Sequence, residues 1–186
     1  MRPSLLRAAV AAVLGVVATS AHAGINYITN GGFESGDFTG WAVTPASTGS
    51  DLSVSSPGYM SEFAAAFGAD ATEYDSIAQL ITVMPGQRYV LSYWIQNFGQ
   101  DGDSLQVLVE GAALLTETPV SAPLDEWQMR SFEFQATIPS AQVRFSGYDD
   151  KARFLIDDIT VVILPTPGAT ALLSLGIICV VIVRRR

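Results

Sequence analysis

Between residues 24 and 163, hydrophobic and polar positions alternate with the period of two that belongs to β-strands. The clearest run is 87–98, directly after the turn signal Met84-Pro85-Gly86. Tyr89, Leu91, Tyr93 and Ile95 fall on one face of it, and Val90, Ser92, Trp94 and Gln96 on the other. Similar short runs recur at 63–67, 76–83, 104–110, 127–136, 141–146 and 153–163. Turn-forming clusters separate them at Gly68-Ala69-Asp70, 99–103, 118–125, Ile138-Pro139-Ser140 and 147–151. No stretch of this region carries a capped helical stripe. Seven or more strands at this spacing predict an all-β fold, an antiparallel two-sheet sandwich. The alternation sends Tyr89, Leu91, Tyr93 and Ile95 inward, and turns Ser92, Trp94 and Gln96 outward with Arg144 and Ser146 of another strand. Phe33, Trp41, Trp127, Phe132 and Phe134 are expected in the core.

Both ends break the pattern. Arg2 and Arg7 precede an apolar core, Ala8 to Ala18, and the small-x-small site Ala21-His22-Ala23, which together predict a secretory signal peptide over residues 1–23. Its eleven apolar residues fall short of the ~20 that a spanning helix needs. At the other end, Pro165-Thr166-Pro167-Gly168 precedes fifteen uncharged residues, Ala169 to Val183, and then Arg184, Arg185 and Arg186. Such a segment predicts a short transmembrane helix with its arginines on the cytoplasmic side and the bulk of the chain outside. One domain, residues 24–163, is left between them.

That division decides much of the chemistry. The only histidine, His22, belongs to the signal peptide, and the only cysteine, Cys179, to the apolar tail. Serine–histidine hydrolysis, cysteine nucleophiles and His or Cys metal sites are thereby excluded from the domain. Its basic residues are Arg88, Arg130, Arg144, Lys151 and Arg153 against all 18 acidic residues of the chain, a balance of −13. A surface of that sign repels phosphate backbones, so no nucleic-acid partner is expected, and it favours divalent cations. Some carboxylate pair at glycosidase spacing is inevitable among so many, yet nothing marks one out and no Gly-x-Ser-x-Gly motif occurs, so the chain is not read as an enzyme. Asp101-Gly102-Asp103 and Asp149-Asp150-Lys151 read as solvated turns.

The tail resembles the PEP-CTERM sorting signal of Gram-negative bacteria, in which a Pro-Glu-Pro motif precedes a short span and an arginine cluster. Here Thr166 stands in place of the glutamate, so the likeness rests on the three-part layout of residues 164–186. It implies transient residence in the inner membrane, processing near Pro165, Thr166 and Pro167 by an exosortase-like enzyme, and delivery to the cell surface or extracellular matrix. Leu164 to Gly168 also partly matches the Leu-Pro-x-Thr-Gly motif of Gram-positive sortases, with Pro167 where the threonine is cut, and that reading ranks second.

The domain carries a second resemblance. Asn30-Gly31-Gly32-Phe33-Glu34, Gly40-Trp41, Gln79 to Val83, Pro85 to Trp94, Trp127 before Phe132 and Phe134, and Phe154-Leu155-Ile156-Asp157-Asp158-Ile159 occur in the order found in jelly-roll carbohydrate-binding modules with a galactose-binding-like fold. The likeness implies a structural Ca²⁺ held by Glu34 and Asp157 with backbone carbonyls. The alternative is that both carboxylates cap loops and face water. It also implies a sugar ligand, which outward alternation places at Trp94, Gln96, Ser92 and Arg144: an indole for the apolar face of a pyranose, amide and guanidinium for its hydroxyls. Tyr59, Tyr74 and Tyr148 are candidates for the rim. A loop lying over Trp94 is the competing arrangement. The function expected is binding of extracellular polysaccharide, as in an exopolysaccharide or biofilm matrix; the alternative is a structural surface protein that contacts other proteins without sugar.

Overall fold

A computed structural model describes residues 24–69, 73–98, 102–110, 112–118, 120, 122 and 125–164. The expected signal peptide, the Pro165-Thr166-Pro167 motif, the apolar tail, Arg184 to Arg186 and Asp101 lie outside these residues.

Among the described residues, ten strands form two antiparallel sheets and no helix occurs. In chain order they are β1 (Ala42–Thr44), β2 (Ser53–Ser55), β3 (Ala64–Phe67), β4 (Asp75–Thr82), β5 (Arg88–Asn97), β6 (Asp103–Val109), β7 (Ala112–Glu117), β8 (Gln128–Gln135), β9 (Ser140–Asp149) and β10 (Phe154–Ile163). One sheet runs β1-β4-β9-β6-β7 and the other β2-β3-β10-β5-β8. Most neighbours in each sheet are distant in sequence, as a jelly-roll sandwich requires.

Strand alternation builds the core directly. Tyr89, Leu91, Tyr93 and Ile95 of β5 are all fully buried, as the periodicity predicts. They face Ile77 of β4, Phe145 and Val143 of β9, and Leu105 and Val107 of β6 within one cluster. Tyr93 meets Phe145 edge to face at 5.0 Å, and Phe33 stacks on Trp41 at 5.9 Å. Burial of the Tyr93 hydroxyl, with Glu117 nearby, pushes its pKa well above that of a free phenol, so it stays protonated. The segment before β1 lies along β10, where Tyr27 N–H donates to the Val161 carbonyl and Ile159 N–H to that of Gly31.

Several expectations are corrected. Strand β9 continues through Gly147, Tyr148 and Asp149, residues that read as a turn. Asp103 is a buried strand residue rather than part of a solvated turn, and it stands directly opposite Asp149 in the ladder. Val120 N–H and the Asn97 amide donate to its two oxygens, which is why burial is tolerated. Asp149 is likewise buried, and its Oδ1 caps the next turn by accepting Lys151 and Ala152 N–H. Trp127 leaves the core. It packs instead on Ala64, Ala66 and Leu155, a small separate cluster on the outer face of the second sheet.

Candidate functional site

The outer face of the second sheet carries Ser92, Trp94 and Gln96 of β5 as expected, all half-buried. Cross-strand pairing sets Asp157 of β10 opposite Trp94, and Leu155 opposite Gln96. Ser92 shares a hydrogen bond with Thr160, 2.7 Å between the hydroxyls. A loop, residues 56–63, comes down on this face. Its Tyr59 ring stacks on Trp94 with 3.7 Å between centroids and 15° between planes, and meets Trp127 edge to face at 5.9 Å.

Two carboxylates tie that loop down. Asp157 Oδ2 accepts Tyr59 N–H at 2.6 Å and the Ser61 hydroxyl at 2.8 Å, while its Oδ1 accepts Asp158 N–H at 2.6 Å. Glu34 Oε1 accepts Phe63 N–H at 2.9 Å. Gly58 makes the approach possible, because a Cβ there would lie 2.1 Å from the Phe63 carbonyl oxygen and 2.7 Å from Asp157 Oδ2. Asp157 is fully buried, and desolvation raises its pKa above 3.8 although the Ser61, Asp158 and Tyr59 hydrogen bonds pull it down. Asp158 is exposed, and desolvation raises its pKa too.

Glu34, Asp157 and Asp158 line one cavity of about 370 Å³ with Gly32, Tyr59 and Ser61. The two residues expected to hold calcium are thus brought to one place. Hard carboxylate and hydroxyl oxygens suit Ca²⁺, and a cation would offset the desolvation of Asp157. Among the described residues no three His, Cys, Asp or Glu side chains converge as a metal site, so an ion here would draw part of its shell from backbone carbonyls.

Arg144 does not join Trp94. It lies exposed on β9 of the first sheet and donates to Gln142 at 3.1 Å, on the opposite side of the sandwich. The outer face of that sheet has an organisation that alternation alone did not reveal. In register across it run Ser76, Ser146 and Gln106, then Ala78, Arg144 and Leu108. Tyr74 and Tyr148 stand over one end, edge to face at 5.0 Å. The Tyr74 hydroxyl bonds Ser104 at 3.2 Å and accepts from Gln106 at 3.5 Å, and Thr118 donates to Ser104 at 2.8 Å. The face therefore offers ring edges, hydroxyls, amides and a guanidinium, the groups that hold a hydroxylated ring.

A profile of the family described as Carbohydrate binding domain (CBM_4_9) matches residues 25–151. No curated protein matches the chain in sequence. Among solved structures, TmCBM61, determined with β-1,4-galactotriose, aligns with a TM-score of 0.58 and 21% identity over 75% of this chain and 99% of its own. The CBM22-1 xylan-binding domain of Xyn10C from Paenibacillus barcinonensis aligns with a TM-score of 0.54 and 17% identity, over 79% and 99% respectively. The enzymatically active domain of tailspike protein 4 from bacteriophage CBA120 aligns with a TM-score of 0.60 and 12% identity over 75% of this chain, which spans only 22% of that protein's chain. Identities this low carry the fold alone. The family match spans most of the domain, and the chain belongs to the carbohydrate binding domain family.

Proposed function

We propose that the chain is an exported, non-catalytic module that binds a neutral extracellular polysaccharide across the outer face of β4, β9 and β6. The carrying observation is the contrast between the two outer faces. On one, the Trp94 ring is capped by Tyr59. On the other, Tyr148, Tyr74, Gln106, Arg144 and Gln142 stand half-buried or exposed around the hydroxyls of Ser76 and Ser146. Family membership supports the ligand class. Galactan and xylan are the first polymers to try, since structures of the same fold carry a galactotriose in one case and are described as xylan-binding in another. Glu34 and Asp157 hold Ca²⁺ with nearby carbonyls, and the ion fixes the 56–63 loop. The signal peptide exports the chain, its tail holds it in the inner membrane of a Gram-negative cell, and an exosortase-like enzyme releases it to the surface or matrix.

Affinity electrophoresis of the full chain in β-1,4-galactan and xylan tests the site. Arg144→Ala with Tyr148→Ala should weaken retention at least tenfold, about 1.4 kcal/mol, while Trp94→Phe with Gln96→Ala leaves it unchanged. The reverse outcome would return the site to Trp94, Gln96 and Ser92. A second reading, a surface protein that contacts other proteins, is favoured by the capped Trp94 and by Leu80 and Val43, 69% and 42% exposed. Retention by neither polymer, with self-association on concentration, would establish it instead.

A further inference from the structure

A second cavity of about 500 Å³ opens on the roofed sheet, where the ends of β2 and β5 meet the start of β10. That volume lies within the ~300–1,000 Å³ of small-ligand sites. Buried Leu155, exposed Pro57, Phe98 and Lys151, and half-buried Ser55 and Arg153 line it. Phe98 follows Ser92, Trp94 and Gln96 in the outward phase and is 42% exposed, an aromatic left open at this cavity.

Lys151 and Arg153 bring two cations to this cavity, with Asp51 paired to Arg153 and Asp150 preceding Lys151 in the chain. Two of the five basic residues between 24 and 163 lie here, in a region with 18 acidic ones. Lys151 makes no ion pair among the described residues. Arg153 pairs with Asp51 at 3.0 Å, but both side chains are about half exposed, so water screens the pair and a ligand can replace it at little cost. The backbone beneath is well held. Asp149 Oδ1 accepts Lys151 and Ala152 N–H, and Phe98 N–H donates to the Arg153 carbonyl at 3.2 Å.

We infer that this cavity is a separate subsite for a uronic acid residue, with the apolar ring face against Phe98 and Leu155 and the carboxylate between Lys151 and Arg153. A planar carboxylate matches the guanidinium fork, and the apolar wall matches the C–H face of a pyranose. A neutral sugar would leave Lys151 without a counter-charge and Arg153 on its screened pair with Asp51. Long polyanions meet the repulsion of the surrounding acidic surface, so selectivity here is for a short charged segment. The subsite goes beyond the proposed neutral-glycan face, which lies on the other sheet.

Calorimetric titration of the full chain with trigalacturonate tests it. Lys151→Ala with Arg153→Ala should weaken binding at least tenfold. Asp51→Asn, which releases Arg153 from its partner, should tighten it severalfold, a change that a merely structural role for Arg153 would not produce. Retention of galactan or xylan by the Lys151 and Arg153 variant should match that of the parent, so the two sites fail separately. Absence of trigalacturonate binding, equal binding by the double variant, or equal binding of sulfated dextran oligosaccharide would overturn the inference.

Discussion

The carboxylate of Asp157 accepts three hydrogen bonds and is still destabilised by its surroundings, because full burial removes the water that would solvate its charge. A carboxyl whose folded pKa is raised binds its proton more tightly in the folded state than in the unfolded one. Its contribution is therefore complete below the unfolded value near 3.8 and is lost as pH rises through the folded value. In chelator, urea midpoints of the parent should fall relative to Asp157→Asn as pH rises above 4. Saturating Ca²⁺ should cancel that fall and raise the melting temperature at pH 7, since an ion bound only to the folded state stabilises it. Equal melting curves with calcium and with chelator would remove Glu34 and Asp157 as ligands. That Glu34 and Asp157 come together was legible in the order of motifs. The stacked Tyr59 was not, because the hydrogen bond that places it joins residues 98 apart and no local pattern records such a pairing.

At the scale of the element, β10 explains how two carboxylates come to lie at a loop while their strand still fills the core. Its pairing with β5 shifts between Asp157 and Thr160. Phe154 and Ile156 face inward before the shift, and Ile159 and Val161 after it, all fully buried. Their spacing slips by one residue, which is the mark of a β-bulge, and the slip is visible in the sequence as two apolar pairs out of phase. Asp158 is the extra residue, with φ of +47°. A side chain in that conformation costs roughly 1 kcal/mol, so Asp158→Gly should leave stability equal or raise it by about that amount in urea titration. Asp157→Ala, which strands the Tyr59 N–H and the Ser61 hydroxyl, should lose about 1–3 kcal/mol. Comparable losses for both variants would mean that the bulge is not what carries the loop. Long runs such as β5 were readable because alternation over ten residues is unambiguous, whereas β1 and β2 are three residues each and leave no periodicity to read.

For the whole molecule, sheet membership was the quantity hidden from the sequence. Trp94 and Arg144 both alternate outward, yet only the non-local pairing of β10 with β5 and of β9 with β6 assigns them to different sheets. Composition was legible from the start, since a domain without histidine or cysteine has few catalytic options. The ends of the chain are addressed by one measurement: intact mass of the secreted or surface form should show loss of residues 1–23 and a cut near Pro165 to Pro167. Recovery of the uncut chain from the cytosol would reject the export scheme. The placement of Arg144 on the outer face of the first sheet and of Lys151 in the turn from β9 to β10 has a mechanical corollary. Were both proposed sites occupied by separate strands, a single copy would join them, and a monomer of this kind would stiffen a hydrated gel by cross-linking it.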